Sequence, residues 1–335
     1  MSKSNRAYLL IIFACVLWGA SPTISYIALN EIPNFYFVSL RFFIGSLMLF
    51  VIFGKNIKKM NLQNYKACIF TALFLCSGFV LETYGYRYII PMKAAFLVSF
   101  DTILIPIFYA FLLKKKITNK EGISIGLAFF GLLLINHNGL SLEFNFGNLI
   151  LILAAMCYAG QIITVSKAVN RADPGAVTTI ILTFTALFSL VPAVFFEDIP
   201  RRISPYGLTM AVVSGIFCAG LPYFLQAKGQ KYINPVRAGV LFSTIPIFSM
   251  IISGMALKNS MSLIAIVGSI IIIFAVVNIN LDFTGKRGAV KSLNDEETEK
   301  LNCEYSDTQY NLETESLELI DASNIKGEGE EVLLK

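Results

Sequence analysis

The sequence predicts an all-α integral membrane protein with ten transmembrane helices in two inverted five-helix repeats, followed by a disordered C-terminal tail. Three observations lead there. The first is composition: of 335 residues, 56% are hydrophobic and only 15% charged, and the mean hydropathy is +0.67. A soluble domain needs more charge to cover its surface. The second is internal repetition. Pro91-Met92-Lys93-Ala94-Ala95-Phe96-Leu97-Val98-Ser99 returns 144 residues later as Pro235-Val236-Arg237-Ala238-Gly239-Val240-Leu241-Phe242-Ser243. The same offset pairs Gly85 with Gly229, Tyr88 with Tyr232 and Ile89 with Ile233, and Pro106 pairs with Pro246 once four residues are inserted in the first copy. The third is charge placement. Residues 281–335 hold 14 of the 22 acids and 6 of the 27 bases, so a membrane part of net +13 precedes a tail of net −8.

At roughly 20 apolar residues per crossing of a ~30 Å hydrocarbon core, spans fall near 7–29, 34–53, 67–86, 92–113, 121–137, 147–168, 175–195, 207–227, 235–257 and 262–280. Met1 to Arg6 leads into an apolar run to Leu29 that is longer than a signal-peptide core and has no convincing cleavage site, so it reads as the first span. Five spans per half is an odd number. The second half must therefore enter from the opposite face, which makes the repeats inverted.

Loop charges bear on the orientation. With both termini cytoplasmic, eighteen Lys and Arg residues fall on inside segments and five on outside ones: Arg87, Lys93, Arg201, Arg202 and Lys258. That bias fixes cytoplasmic termini, in the plasma or inner membrane of the cell. Because the bases occupy short loops between apolar runs, they set orientation and do not form a nucleic-acid surface. Connections such as Asn30 to Pro33 and Asn170 to Pro174 are too short to hold a domain, and they make successive helices antiparallel neighbours. The expected domains are 1–140 and 141–280 for the two repeats and 281–335 for the tail. In the tail, Asn294-Asp295-Glu296-Glu297-Thr298-Glu299-Lys300 and the acids beyond it cannot bury enough apolar area to offset ordering.

Six cysteines without a CxxC pairing, five of them in apolar runs, read as packing residues with no disulfide. Gly122 and Gly126 form a GxxxG that would permit close helix approach, although Gly is common in membrane helices and ordinary packing is the preferred reading. Several chemistries are excluded by what is missing. No GxxxxGK[ST] phosphate loop occurs, so energy must come from a gradient or from exchange. His137 is the only histidine and lies in a loop, which removes HExxH, His-based metal sites and Ser-His-Asp triads. An enzyme, a metal or a cofactor is accordingly not expected.

Ionisable groups inside spans are costly and normally face protein or water. Asp101, about ten residues into the fourth span, is the deepest acid; it reads as a proton-coupling carboxylate or a ligand for a cationic group, with partnership to Arg41 as the structural alternative. Arg41 lies some seven residues into the second span, about 10 Å deep at ~1.5 Å per residue. It can clamp a carboxylate or phosphate, or snorkel outward. Glu82 matches Gln226 at the repeat offset, so both copies set a polar side chain of one length at equivalent positions. Either these line a shared cavity or Glu82 meets Arg87. Trp18, in Trp18-Gly19-Ala20-Ser21-Pro22, sits at mid-span, and 140 residues on stands Tyr158-Ala159-Gly160-Gln161. Pro22, Pro106, Pro192, Pro222 and Pro246 each remove a backbone donor and free a carbonyl that neighbours or substrate must satisfy. The candidate substrate and coupling residues are therefore Trp18, Arg41, Glu82, Asp101, Tyr158, Gln161 and Gln226.

Leu17-Trp18-Gly19-Ala20, Leu40-Arg41-Phe42, Lys93-Ala94-Ala95-Phe96-Leu97 running into Ile105-Pro106, and Arg237-Ala238-Gly239 with Ile245-Pro246 resemble the EamA-type branch of the drug/metabolite transporter superfamily. The resemblance covers about residues 7–280. It implies a ten-helix bundle, a central cavity between two EamA-like repeats, and export or exchange of small metabolites by alternating access. Two departures stand out: after Trp18-Gly19 the chain reads Ala20-Ser21-Pro22-Thr23 without the Lys that many relatives carry later in that helix, and Glu82 matches no family pattern. The expected function is a secondary active transporter or exchanger of a small polar metabolite, an amino acid or related compound first, with the bilayer as its environment and a homodimer left open. A transporter-like sensor or scaffold and a lipid-carrier flippase are the alternatives.

Overall fold

The computed structural model describes residues 3–85, 87–88, 97–136, 146–200, 203–257 and 262–280. Lys93 and most of the repeated motif at Pro91–Ser99, His137, Arg201, Arg202, Lys258, Cys303 and the whole 281–335 tail lie outside them. Among the described residues every regular element is helical: α1 Lys3–Ala28, α2 Asn34–Ile57, α3 Leu62–Gly85, α4 Asp101–Leu113, α5 Asn119–Ile135, α6 Phe146–Val169, α7 Pro174–Phe196, α8 Pro205–Val213, a π-helical segment Ser214–Gly220, α9 Leu221–Gln230, α10 Pro235–Phe242, α11 Ile245–Leu257 and α12 Leu263–Asn280. Eight stretches are long and apolar enough to cross a membrane, with α8 to α9 forming one and Pro235–Met255 another. The described α4 has 13 residues and α5 has 17.

Local chemistry explains where helices begin. Asp173, Ser204 and Asn234 each accept a bond from a backbone amide three residues on, and each is followed by a proline at the first helical position, where a missing N–H costs nothing. Thr118 and Glu121 form a reciprocal capping box at α5. The start of α2 has Pro33 at its cap, which supplies no side-chain acceptor, and Glu197 fills the role from α7's far end, accepting from Phe35 N at 2.9 Å and Tyr36 N at 3.1 Å.

Packing is dominated by contacts between helices far apart in sequence. The pairs are α2 with α7, α5 with α12, α3 with α6, α1 with α9 and α11, and α4 with α6 and α10. One buried cluster joins Ile11 and Ile105 to Ile163, Leu241 and Ala275, and a second joins Phe42 and Leu75 to Ile181 and Tyr223; Trp18 packs against both. The outer surface is apolar, with Phe111 80% and Phe195 77% exposed. A surface of this kind belongs in lipid.

Glycine permits two backbone approaches. A methyl group on Gly45 would fall 2.7 Å from Gly220 N and 2.8 Å from Gly215 O, so α2 lies directly on the π segment. A methyl on Gly131 would fall 2.7 Å from Gly268 O, which joins α5 to α12. The expected GxxxG pair behaves differently: Gly122 and Gly126 meet nothing within 4 Å among the described residues.

Three expectations about span interiors are corrected. The span read as continuous over 235–257 breaks at Ser243-Thr244, between α10 and α11, where Ser243 Oγ donates to Val240 O at 2.6 Å and Thr244 Oγ1 to Leu241 O at 2.7 Å. Ser99-Phe100, the equivalent position 144 residues earlier, is also a turn. Asp101 is therefore not in mid-helix; it occupies the first turn of α4, where the positive end of the helix dipole faces a carboxylate. Pro246 likewise stands at the second position of α11, whereas Pro22, Pro106 and Pro192 are inside helices as expected, and Pro222, second in α9, lies inside the continuous rod formed by α8, the π segment and α9.

Candidate functional site

The seven residues singled out from the sequence meet in one place. Trp18 from α1, Arg41 from α2, Glu82 from α3, Asp101 from α4, Tyr158 and Gln161 from α6, and Gln226 from α9 all line a cavity of about 300 Å³. A second cavity of about 540 Å³ adjoins it, walled by α4, α5, α11 and α12 and bearing the hydroxyls of Ser99, Thr102, Ser243, Ser249 and Ser253. Glu82, Asp101, Pro22, Phe242 and Ile245 line both. Two carboxylates thus stand where the cavities meet.

Arg41 is 6% exposed, and its guanidinium is held by one hydrogen bond and three aromatic rings. Nη2 donates to the carbonyl of Cys218 in the π segment at 2.9 Å. Its Cζ lies 5.5, 5.6 and 5.9 Å from the ring centres of Phe42, Phe79 and Phe37, within cation–π range. Nε is buried without a hydrogen-bond partner among the described residues. The alternative of an Arg41–Asp101 ion pair is not what forms among the described residues: Asp101 Oδ1 accepts from Thr102 Oγ1 at 3.3 Å, and the described ion pair is Arg237–Glu121.

Glu82 does not turn to Arg87, whose Cζ lies 5.4 Å over the Tyr84 ring. Its Oε2 accepts instead from Tyr158 Oη. Gln226 Nε2 donates to Gln161 Oε1 at 3.4 Å, both side chains being buried, and Gln226 Oε1 has no hydrogen-bond partner among the described residues. The walls between these groups are aromatic. Trp18 meets Tyr223 edge-on at 5.0 Å and Phe242 at 5.6 Å, while Tyr158 meets Phe79 edge-on at 5.5 Å. Phe42 touches both Phe79 and Tyr223, at 5.1 and 5.7 Å.

Phe42, Phe79, Tyr223 and Phe242 escaped the sequence reading. A signal existed for two of them, since Phe79 and Tyr223 are separated by the same 144 residues as Glu82 and Gln226. Also unforeseen is a polar cluster at the 114–120 and 228–234 end of the bundle. There Glu121, 3% exposed, accepts from Asn234 Nδ2 at 2.8 Å and Arg237 Nε at 3.4 Å, and Arg237 Nη1 donates to Tyr8 Oη at 3.2 Å. Among the described residues no group of three His, Cys, Asp or Glu side chains converges as a metal site would require.

Chemically, the cavity offers a cation, two carboxylates and two amides within aromatic walls, in a bundle whose exterior is apolar. Such an arrangement defines a multi-pass membrane protein with an internal polar site. The model of the EamA-like transporter family matches residues 5–137 and again residues 145–281, and the chain belongs to that family of membrane transporters. Curated relatives agree. The chain is similar to the uncharacterized transporter YetK of Bacillus subtilis (strain 168), 27% identical over 281 residues that cover 80% of this chain and 84% of the relative. It is 24% identical over 282 residues to an uncharacterized transporter of Archaeoglobus fulgidus, covering 83% of this chain and 87% of the other. A protein of solved crystal structure shares the fold at a TM-score of 0.71 and 17% identity, over 82% of this chain and 96% of that one.

Proposed function

We propose that the chain is a secondary active transporter or exchanger that exports a small zwitterionic metabolite, an amino acid or a close relative, by alternating access. The observation that carries this reading is the single cavity onto which Arg41 faces with one sign of charge and Glu82 and Asp101 with the other. A zwitterion presents both signs at short separation, and aromatic walls suit its apolar part. In this reading Arg41 clamps the carboxylate, Glu82 or Asp101 meets the ammonium group, and Trp18, Tyr158, Gln161 and Gln226 complete the shell. Asp101, where the two cavities meet, exchanges the coupling proton.

Ten spans in two inverted repeats, 1–140 and 141–280, with both termini cytoplasmic, are part of the proposal. Contacts that recur across the repeat offsets support it. Phe79·Tyr158 corresponds to Tyr223·Trp18, and both are edge-on aromatic pairs. A methyl on Gly85 would fall 2.7 Å from Leu151 Cδ2, and one on Gly229 would fall 2.5 Å from Ile11 Cγ1, which is the same pair after exchange of the halves. Helix pairing is unchanged by that exchange as well. The α2·α7 and α5·α12 pairs map onto themselves, and α3·α6 maps onto α9·α1. Halves related in this way can rock about a site between them.

Counterflow in proteoliposomes preloaded with amino acids, nucleosides or sugar derivatives, with and without a pH gradient, tests the reading. Trans-stimulated uptake of amino acids alone is the expected result. Absence of counterflow from folded protein across the whole panel overturns it in favour of a lipid substrate or a sensor.

A further inference from the structure

The guanidinium of Arg41 is held by a carbonyl that an α-helix would not normally leave available. In an α-helix the carbonyl of Cys218 accepts from the amide four residues on. That residue is Pro222, which has no N–H. The same proline accounts for the end of the π register. In the π segment each amide donates five residues back, as Leu221 N does to Ile216 O. The next donor would be Pro222, to Phe217 O, and the segment stops at Gly220. Pro222 thus frees a different acceptor in each register, Phe217 O in the π register of the segment and Cys218 O in the α register that α9 itself follows from Leu221 onward.

We propose that Pro222 is the positioning residue for Arg41: by withholding its N–H it leaves the Cys218 carbonyl to the guanidinium, and so fixes where the cation stands in the cavity. Three further observations fit this role. The bond from Arg41 Nη2 to Cys218 O is 2.9 Å long and buried. The backbones that carry the two partners are pressed together at Gly45, Gly215 and Gly220, which keeps the carbonyl within reach of α2. With Nη2 committed to the protein and the aromatic rings of Phe37, Phe42 and Phe79 around Cζ, the guanidinium cannot swing, and its unpartnered Nε remains for a ligand. An arginine so fixed loses less freedom on binding an anion than one on a free stem.

This inference rests on the proposed role of Arg41 as the carboxylate clamp. Its test is built so that the two can fail separately. Counterflow is measured for a panel of amino acids and for the matching carboxamides, which keep the body and ammonium group but lack the anion. Pro222→Ala restores an N–H that can recapture Cys218 O, and Pro222→Leu does the same with a larger side chain should the first variant fold poorly. The expected result is a rise in KM of about tenfold for the acids, the scale of one charge-assisted hydrogen bond, with kcat and the carboxamide KM nearly unchanged. Arg41→Gln should show the same selectivity, and adding Pro222→Ala to it should change nothing more. If Arg41→Gln discriminates acid from amide and neither Pro222 variant does, the positioning role is wrong and the clamp stands. If Arg41→Gln itself does not discriminate, the clamp fails and the inference fails with it. Equal losses for acids and amides in the Pro222 variants would mark a general helix effect, and would also overturn it.

Discussion

Tyr158 on α6 donates a hydrogen bond to the Glu82 carboxylate on α3, and the same tyrosine ring packs edge-on against Phe79 one turn earlier on α3. A phenol bound to a carboxylate in a cavity wall fixes the direction of the acid. Removing it with Tyr158→Phe preserves the ring contact and deletes only the bond. Hydrogen bonds to charged groups contribute about 1.5–3 kcal/mol, so the melting temperature in detergent should fall and substrate KM should rise. In a double-mutant cycle with Glu82→Gln, the two changes should be less than additive; strict additivity would show that the bond matters to neither stability nor binding.

Asp101 gives a different signature. It sits in the first turn of α4, beside the junction of both cavities, and its described partner is the neighbouring Thr102 hydroxyl. In its proposed role as the proton-exchanging group it would be needed for gradient-driven movement but not for exchange of one substrate molecule for another. Asp101→Asn should abolish stimulation by a pH gradient and leave counterflow at equal pH within about threefold, a change worth under ~1 kcal/mol. Unchanged gradient stimulation in this variant would remove Asp101 from the coupling step.

That the candidate residues share one cavity was legible in the sequence, and the reason is physical. Charged and amide side chains within apolar runs have few places to go except a shared interior, so Arg41, Glu82, Asp101, Gln161 and Gln226 announced themselves. The repeat offset did the rest by matching Glu82 to Gln226 and Trp18 to Tyr158. Aromatic walls gave no such signal, because Phe42 or Phe242 in a span is as well placed against lipid as against substrate. Helix breaks were hidden too. Apolar runs continue through Ser243-Thr244 and Ser99-Phe100, and at Ser243-Thr244 hydroxyls that bond to nearby carbonyls replace the missing helical donors. The π segment is in the same class, since Ser214–Gly220 is apolar after its first residue and only Pro222, just beyond it, marks the change of register.

The polar cluster at the end of the bundle should behave as a clasp between α1, α5 and α10. Glu121 is nearly buried, whereas the Arg237 side chain is 31% exposed, so the pair lies between the surface and interior cases. Surface pairs contribute under ~1 kcal/mol and removal of one partner of a buried pair costs about 3–5. Arg237→Met or Glu121→Gln should therefore lower stability by about 2 kcal/mol, with Arg237→Lys intermediate because it keeps charge but loses the second nitrogen that reaches Tyr8. Thermal unfolding of the purified variants measures this directly, and a melting temperature unchanged in Arg237→Met would show that the cluster carries no net stability.

The last prediction sets two glycine positions against each other. Without a membrane-driven preference between helices, close packing supplies most of their association. Gly45 lies against the backbone of Gly215 and Gly220, so Gly45→Val must push α2 off the π segment and carry Arg41, one helical turn away, with it. Overpacking of this kind costs about 1–3 kcal/mol or more, and here it should also raise KM for anionic substrates, because the Arg41–Cys218 bond spans the same interface. Gly122→Val, by contrast, meets open space among the described residues and should alter neither stability nor KM. Paired melting curves and counterflow assays decide the matter. A tolerated Gly45→Val would mean that α2 and the π segment can part without cost, and a damaging Gly122→Val would point to a partner on the α5 face that a single chain does not supply.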